Sequence, residues 1–328
     1  RVMAATLFIY SLNFNIVLIW VILALLVLRL LCRKASKQLC YLLWGILAVK
    51  CLVPVSVGST FSLIPGAEFF NVDDLYKPDF DIHSGIGFLD KFVNEYIESY
   101  YWEGMSVPDD NMLNKSEGLF FLWILGMILL IAKLLFDASR MKENLRTAVR
   151  YEENIWQSDA VSSPLVYGVI KPKIYVPFNM EPEKMQYAIL HEKEHIRRGD
   201  HIWKLLAHFI LILNWYNPLI WIAYKKFSDD MEMACDERVA RGLNDEERKC
   251  YALTLMDCST SRYVSLGKSL YFGKENIKER IINIVNYRAT NKIVAYISAV
   301  LIIIIAVGLL TVPDAAGHNI FNLLTGIS

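Results

Sequence analysis

The sequence predicts a mainly α-helical membrane protein, with four transmembrane helices and one water-facing α+β domain between the third and the fourth. Three observations lead there. The 328 residues are 55% apolar, with a mean hydropathy of +0.32, more than an ordinary soluble domain carries. Yet 21% of them are charged, too many for a bundle lying wholly in lipid. The apolar residues, finally, gather into four long windows instead of spreading along the chain. The formal net charge of +0 leaves no basic footprint, which excludes direct nucleic-acid binding.

The windows are "LFIYSLNFNIVLIWVILALLVL" (7–28), "LCYLLWGILAVKCLVPVSVG" (39–58), "GLFFLWILGMILLIAKLLF" (118–136) and "IVAYISAVLIIIIAVGLLTV" (293–312). Each reaches the roughly 18 apolar residues that mark a spanning candidate. The first lacks the short apolar core and small-residue cleavage site of a signal peptide, so it reads as a retained anchor. The second carries Lys50 and Pro54, and Lys50 reads as a charge that snorkels towards the interface.

Flanking charges orient the spans. Arg29, Arg33, Lys34 and Lys37 follow the first, Arg140, Lys142 and Arg146 follow the third, and Arg288 and Lys292 precede the fourth. By the positive-inside rule those places are cytoplasmic. The expected organisation is then residues 1–64 for helices one and two with a short cytoplasmic connection, and 65–117 for an acidic, aromatic extracellular loop. The third helix takes 118–137, a cytoplasmic domain 138–292 and the fourth helix 293–313, followed by a short extracellular tail at 314–328. Both termini come out extracellular, in a multi-pass protein of the cell membrane. The expected extracellular loop contains no cysteine, and no CxxC pair occurs anywhere, so neither a disulfide framework nor a zinc finger is expected.

Within 138–292, "SRMKENLRTAVRYEENIWQ" reads as a polar helix. "SDAVSSPLVYGVIKPKIYVP" (158–177), β-branched, aromatic and punctuated by Pro and Gly, reads as a short β-hairpin with an edge strand. Pro182 and two glutamates then suit the first turn of a helix. The apolar stretch 202–226 is interrupted by Lys204, His208, Asn214, Asn217 and Pro218, so it reads as a helical hairpin at the inner membrane surface or packed on the spans, not as a fifth span.

The chemistry centres on "HEKEHIRRGDHIWK" (191–204). His191 and His195, four apart on a helix, leave the same face one turn from each other. Two imidazoles so placed can bind one zinc ion, with positions left for another protein ligand and a water. Glu192, beside the first, can act on that water as general base. For the third ligand there are two candidates. His201 stands where an H-E-x-x-H-x-x-G-x-x-H pattern ends, but residue 198 is Arg where that pattern has Gly. In "DDMEMACDERVA" (229–240), Glu232 and Asp236 share one helix face, the first fit to complete a His, His, Glu set and the second to orient an imidazole. Against these readings stands a merely charged helix face.

The combination of "SSPLVYGVIKPKIYVP", "HEKEHIRRGD", "NWYNPLIW", "EMACDERV" and "GKENIKERIINIV" (273–285) resembles the BlaR/MecR-type integral-membrane zinc metallopeptidases, the β-lactam-sensor signal-transducer family. The resemblance runs from the first span to the last. It implies a gluzincin-like cytoplasmic protease domain with Zn2+ as cofactor, held by His191, His195 and Glu232. By the same likeness Glu192 is the general base, with Asp236, Arg198 and Asp200 behind the ligands. The family's β-lactam sensors carry a penicillin-binding domain with a Ser-x-x-Lys motif after the fourth span. "PDAAGHNIFNLLTGIS" has no such motif, so antibiotic acylation is not expected of this chain.

The function so implied is zinc-dependent cleavage of a cytoplasmic regulatory protein, such as a transcriptional repressor, and of the chain itself. "RYVSLGKSLYFGK" (262–274) is the expected self-cleavage loop, with no scissile bond assigned at Leu270 or elsewhere in it. The expected partners are that protein substrate, the lipid bilayer, and a second copy or a separate sensor protein. Two alternatives stand beside this: a prenyl-processing or quality-control membrane metalloprotease, and a non-catalytic signalling scaffold with structural zinc.

Overall fold

A computed structural model describes residues 2–32, 36–53, 57–58, 91, 111–265, 277–288 and 292–312. Most of the expected extracellular loop, the tail at 314–328 and most of the expected self-cleavage loop lie outside the described residues.

The described protein is mainly helical with a small sheet. Helix α1 (Val2–Leu31) and α2 (Lys37–Leu52) are followed by β1 (Val57–Gly58), then α3 (Asn111–Asn144), β2 (Val149–Glu152), β3 (Ile155–Ser158), β4 (Leu165–Tyr167) and β5 (Lys173–Pro177). Next come α4 (Pro182–Arg198), α5 (Asp200–Leu213), α6 (Pro218–Arg241), α7 (Asp245–Ser265), α8 (Ile277–Val285), α9 (Lys292–Leu310) and β6 (Thr311–Val312).

Among the described residues, two stretches are long and apolar enough to cross a membrane, Thr6–Leu31 and Glu117–Asn144. In α9 the apolar helical part, Tyr296–Leu310, is shorter. The predicted second window does not continue as helix to residue 58. α2 ends at Leu52, two residues before Pro54, whose ring disfavours helix in the residue before it. Val57 and Gly58 instead pair in parallel with Thr311 and Val312. Lys50 does not snorkel: it is 2% exposed, and its Nζ donates to the Leu310 carbonyl at 3.2 Å, a cation at the negative end of α9.

The polar helix predicted for 139–157 is half right. Helix α3 runs on to Asn144, but 149–158 forms strands β2 and β3. Val149, Tyr151, Ile155 and Trp156 carry β propensity that the surrounding charges obscured. The four-stranded sheet has the order β2-β3-β5-β4. β4 and β5 make the predicted antiparallel hairpin, turned at Gly168 with φ 109°, and β4 is an edge strand. Ile155, Ile174 and Val176 form a core under Met185 of α4, so the sheet is the floor on which that helix lies.

The stretch 202–226 folds into the predicted helical hairpin, α5 and the start of α6, and it packs on α1 and α2. Leu18, Ile22 and Leu25 of α1, Leu43 and Leu47 of α2, Ile210 and Leu211 of α5, and Ile220 and Phe227 of α6 share one apolar core. The hairpin tip is polar and sits midway along α1. Asn15 Nδ2 donates to Asn214 Oδ1 at 2.9 Å, and Asn217 Nδ2 donates to Asn15 Oδ1 at 3.1 Å, which satisfies amides that an apolar core would otherwise penalise. Trp123 of α3 donates to the Leu213 carbonyl and Trp215 to the Trp123 carbonyl. Trp215 packs so close to Gly126 that a Cβ there would collide with its ring.

Candidate metal centre

Helix α4 starts with Pro182 in its first turn and ends at Gly199, whose φ of 71° is left-handed and whose N–H caps the carbonyls of His195 and Ile196. Glycine takes that conformation without strain. The same residue starts α5, so the chain reverses at once and Asp200 comes back against His195. That is the physical use of a glycine at 199.

His191 and His195 do share a face, with ring centroids 4.6 Å apart. Asp200 Oδ2 accepts from His195 Nδ1 at 2.7 Å. The Tyr251 hydroxyl lies 2.7 Å from His191 Nδ1 and itself donates to Asp236 Oδ1 at 2.7 Å, so it accepts from the imidazole. Both rings are thereby held with the proton on Nδ1. Their Nε2 atoms then face each other at 3.0 Å, an arrangement that is favourable only with a proton or a metal cation between or beside them. Glu232 Oε2 completes a triangle, 3.5 Å from His191 Nε2 and 3.7 Å from His195 Nε2. Donors bound to one tetrahedral zinc at 2.0–2.2 Å stand roughly 3.3 Å apart, so the residues present fit a zinc ion with small adjustments.

Electrostatics agree with a site built for a cation. Burial acts against a charge on His191, but Cys235 and Glu232 outweigh it and push its pKa up to about 10. Burial opposes charge on His195 too, yet Cys235, Glu232 and Asp200 raise it. Although 31% of the Glu232 side chain is open to solvent, enclosure by protein still works against its charge. Arg280 first and His195 next nonetheless hold it well below the usual carboxylate range.

The other predicted residues fall as follows. Glu192 is buried beside His191 on α4. Asp236 lies 3.4 Å from His191 Nδ1, reaching that ring through Tyr251. Arg198 donates to the Met231 carbonyl at 3.2 Å and stacks over Tyr41 at 4.6 Å. His201, the second residue of α5, has a buried Nδ1 with no hydrogen-bond partner and is not part of the described cluster of possible metal donors.

Four contributors escaped sequence reasoning. Cys235 Sγ lies 3.7 Å from His191 Nδ1 and within 4.8 Å of donor atoms of both histidines. Burial would raise its thiol, but the two imidazoles lower it. Tyr251 relays His191 to Asp236, and Arg280 pairs with Asp236 and Glu232. Tyr41 of α2 donates to Asp200 Oδ1 at 3.0 Å. Only Cys235 and Arg280 had a sequence signal, each lying inside a segment that carried the family resemblance.

The BlaR1 peptidase M56 family model matches residues 9–284. Regulatory protein BlaR1 of Bacillus licheniformis is 24% identical over 222 residues, 60% of this chain and 37% of that relative. The methicillin resistance mecR1 protein of Staphylococcus aureus is 30% identical over 168 residues, 47% of this chain and 29% of the relative. The chain therefore spans between 29% and 37% of the length of these curated relatives.

Proposed function

Since this chain belongs to the BlaR1 peptidase M56 family, we propose that it is a membrane-embedded, zinc-dependent endopeptidase that transmits a signal by cleaving a cytoplasmic regulatory protein. The observation that carries the reading is the pair of Nε2 lone pairs facing each other at 3.0 Å beside the Glu232 carboxylate. His191, His195 and Glu232 would hold the zinc, and a site with three protein ligands is the pattern of a catalytic zinc. A zinc ion bound there supplies Lewis-acid polarisation and acidifies water. Glu192 takes the proton from the attacking water and passes it to the leaving amine nitrogen. Asp200 and Tyr251 keep both imidazoles in the ligating tautomer. The free edge of β4, on the sheet beneath α4, receives the substrate as an added extended strand.

In the same reading α1, α2, α3 and α9 span the membrane, residues 138–292 face the cytoplasm except for the α5–α6 hairpin, and both ends lie outside. The α5–α6 hairpin enters the bilayer from the cytoplasmic side. Its polar tip reaches Asn15, about 20 Å from Arg29 at 1.5 Å per residue, and the bonds among Asn15, Asn214 and Asn217 satisfy it there. The substrates are a repressor-like cytoplasmic protein and the segment 262–274. Purified wild type and Glu192→Gln, incubated with and without chelator, provide the test. Wild type should release fragments, whereas Glu192→Gln should keep its zinc and lose cleavage by about 10²–10⁴-fold. Undiminished cleavage by Glu192→Gln would remove Glu192 from its role.

Cys235 favours a second reading, a closed structural site with four protein donors. Its sulfur, however, lies 3.7 Å from His191 Nδ1, the ring nitrogen turned away from the paired Nε2 atoms, which favours the open site. Zinc retained by Cys235→Ala fits the protease; zinc lost fits the structural site.

A further inference from the structure

Arg280 lies outside the two helices that carry the metal-binding residues, on α8, inside the segment "GKENIKERIINIV". Its guanidinium makes three contacts there. Nε donates to Asp236 Oδ2 at 2.6 Å and Nη2 to Asp236 Oδ1 at 2.9 Å, a two-pronged grip that a planar guanidinium makes and an ammonium cannot. Nη1 lies 3.1 Å from Glu232 Oε2, the same oxygen that faces both imidazoles.

Glu232 and Asp236 stand one turn apart on α6, so their carboxylates repel unless a cation lies between them. A glutamate also has the rotamer freedom of a long side chain, and Glu232 is the partly exposed member of the site. Arg280 meets both needs. It also closes a circuit, because Asp236 holds Tyr251, Tyr251 holds His191, and His191 faces Glu232. Ile284, one turn further along α8, is buried against Val239 and Tyr251, which anchors the helix so that Arg280 points at the site.

We propose that Arg280 is a positioning residue for the metal centre: it holds Glu232 in its ligating rotamer, so that zinc binding depends on the docking of α8. The proposal rests on the zinc reading above and extends it to a residue that touches neither metal nor substrate.

The test is zinc affinity, measured by chelator competition on full-length protein in detergent, for wild type, Arg280→Gln, Arg280→Lys and Arg248→Gln. Arg248 is a comparison from the same helical layer: it binds the Ala240 carbonyl and Asp245 and stacks on Tyr287, away from both carboxylates. Arg280→Gln should lose tenfold or more in affinity, and Arg280→Lys, which restores the charge without the fork, should fall between it and wild type. Arg248→Gln should stay within twofold of wild type. Cobalt substituted for zinc should show visible absorption bands that shift in both Arg280 variants and not in Arg248→Gln. If Arg280→Gln does not fold, Arg280→Lys alone decides: wild-type affinity and spectrum overturn the proposal, and a loss with shifted bands supports it. Equal losses in Arg280→Gln and Arg248→Gln mean general packing and overturn it as well. Wild type that binds no zinc overturns the metal reading itself, whereas zinc-binding wild type with an unaffected Arg280→Gln overturns only the role of Arg280.

Discussion

His191 and His195 leave one face of one helix, yet opposite parts of the molecule hold them. His191 is tied through Tyr251 and Asp236 to α6, α7 and α8. His195 is tied through Asp200 to Tyr41 of α2, and α2 packs in the apolar core with α1. Around it, Arg29 of α1 and Trp44 of α2 both donate to Asp230, two residues before Glu232, and Ser36 donates to Glu237. One imidazole thus answers to the polar helices and the other to the apolar bundle. A displacement of α1 or α2 would reach the candidate site through His195 and Asp230 first.

The largest expected effect lies on the bundle side. Arg29→Met would leave Asp230, 2% exposed, with an unpaired buried charge, costing about 3 kcal/mol. Thermal unfolding in detergent should show the loss, and an unchanged Tm would mean that the α1–α6 junction carries little.

Next is Asp200→Asn, which takes from His195 the carboxylate that orients it. Zinc affinity should fall about 10–100-fold, read by chelator competition. Tyr251→Phe removes a neutral relay from His191 and should cost less, about 1 kcal/mol or roughly fivefold. If Tyr251→Phe proves the more damaging, the site is governed from the polar side and the comparison reverses.

A pH series sharpens the same point. Metal binding requires neutral imidazoles, and the folded-state pKa of His191 is raised to about 10 from an ordinary 6.5. A raised pKa stabilises the metal-free protein fully below about pH 6.5, and that stability is lost as pH climbs towards 10. Zinc should therefore bind more tightly, and protect more, as pH rises through this window; an affinity that is flat above pH 7 would count against it. The smallest effect is expected of Tyr41→Phe. It should change zinc affinity by about 1 kcal/mol or less, since Asp200 remains in place.

The readable parts of this protein are those whose signal is local. The i, i+4 spacing of His191 and His195, the apolar runs of α1 and α3, the turn residues of the β4–β5 hairpin and the polar interruptions of 202–226 each depend on neighbours in sequence. Local signals failed where a competing one lay on top. Charges at 150–153 masked two strands, and the apolar tally of 39–58 outweighed a helix-ending proline.

Periodicity and spacing were enough for a mainly helical membrane protein with two histidines placed as candidate metal ligands, because helix geometry alone converts a separation of four into a shared face. Which residues gather behind those histidines was settled in three dimensions. Tyr41 meets Asp200 across 159 residues and Arg280 meets Asp236 across 44, and neither pairing follows from any helical or strand period. A buried charge or imidazole must find a partner wherever packing puts one, and packing joins residues without regard to their distance along the chain.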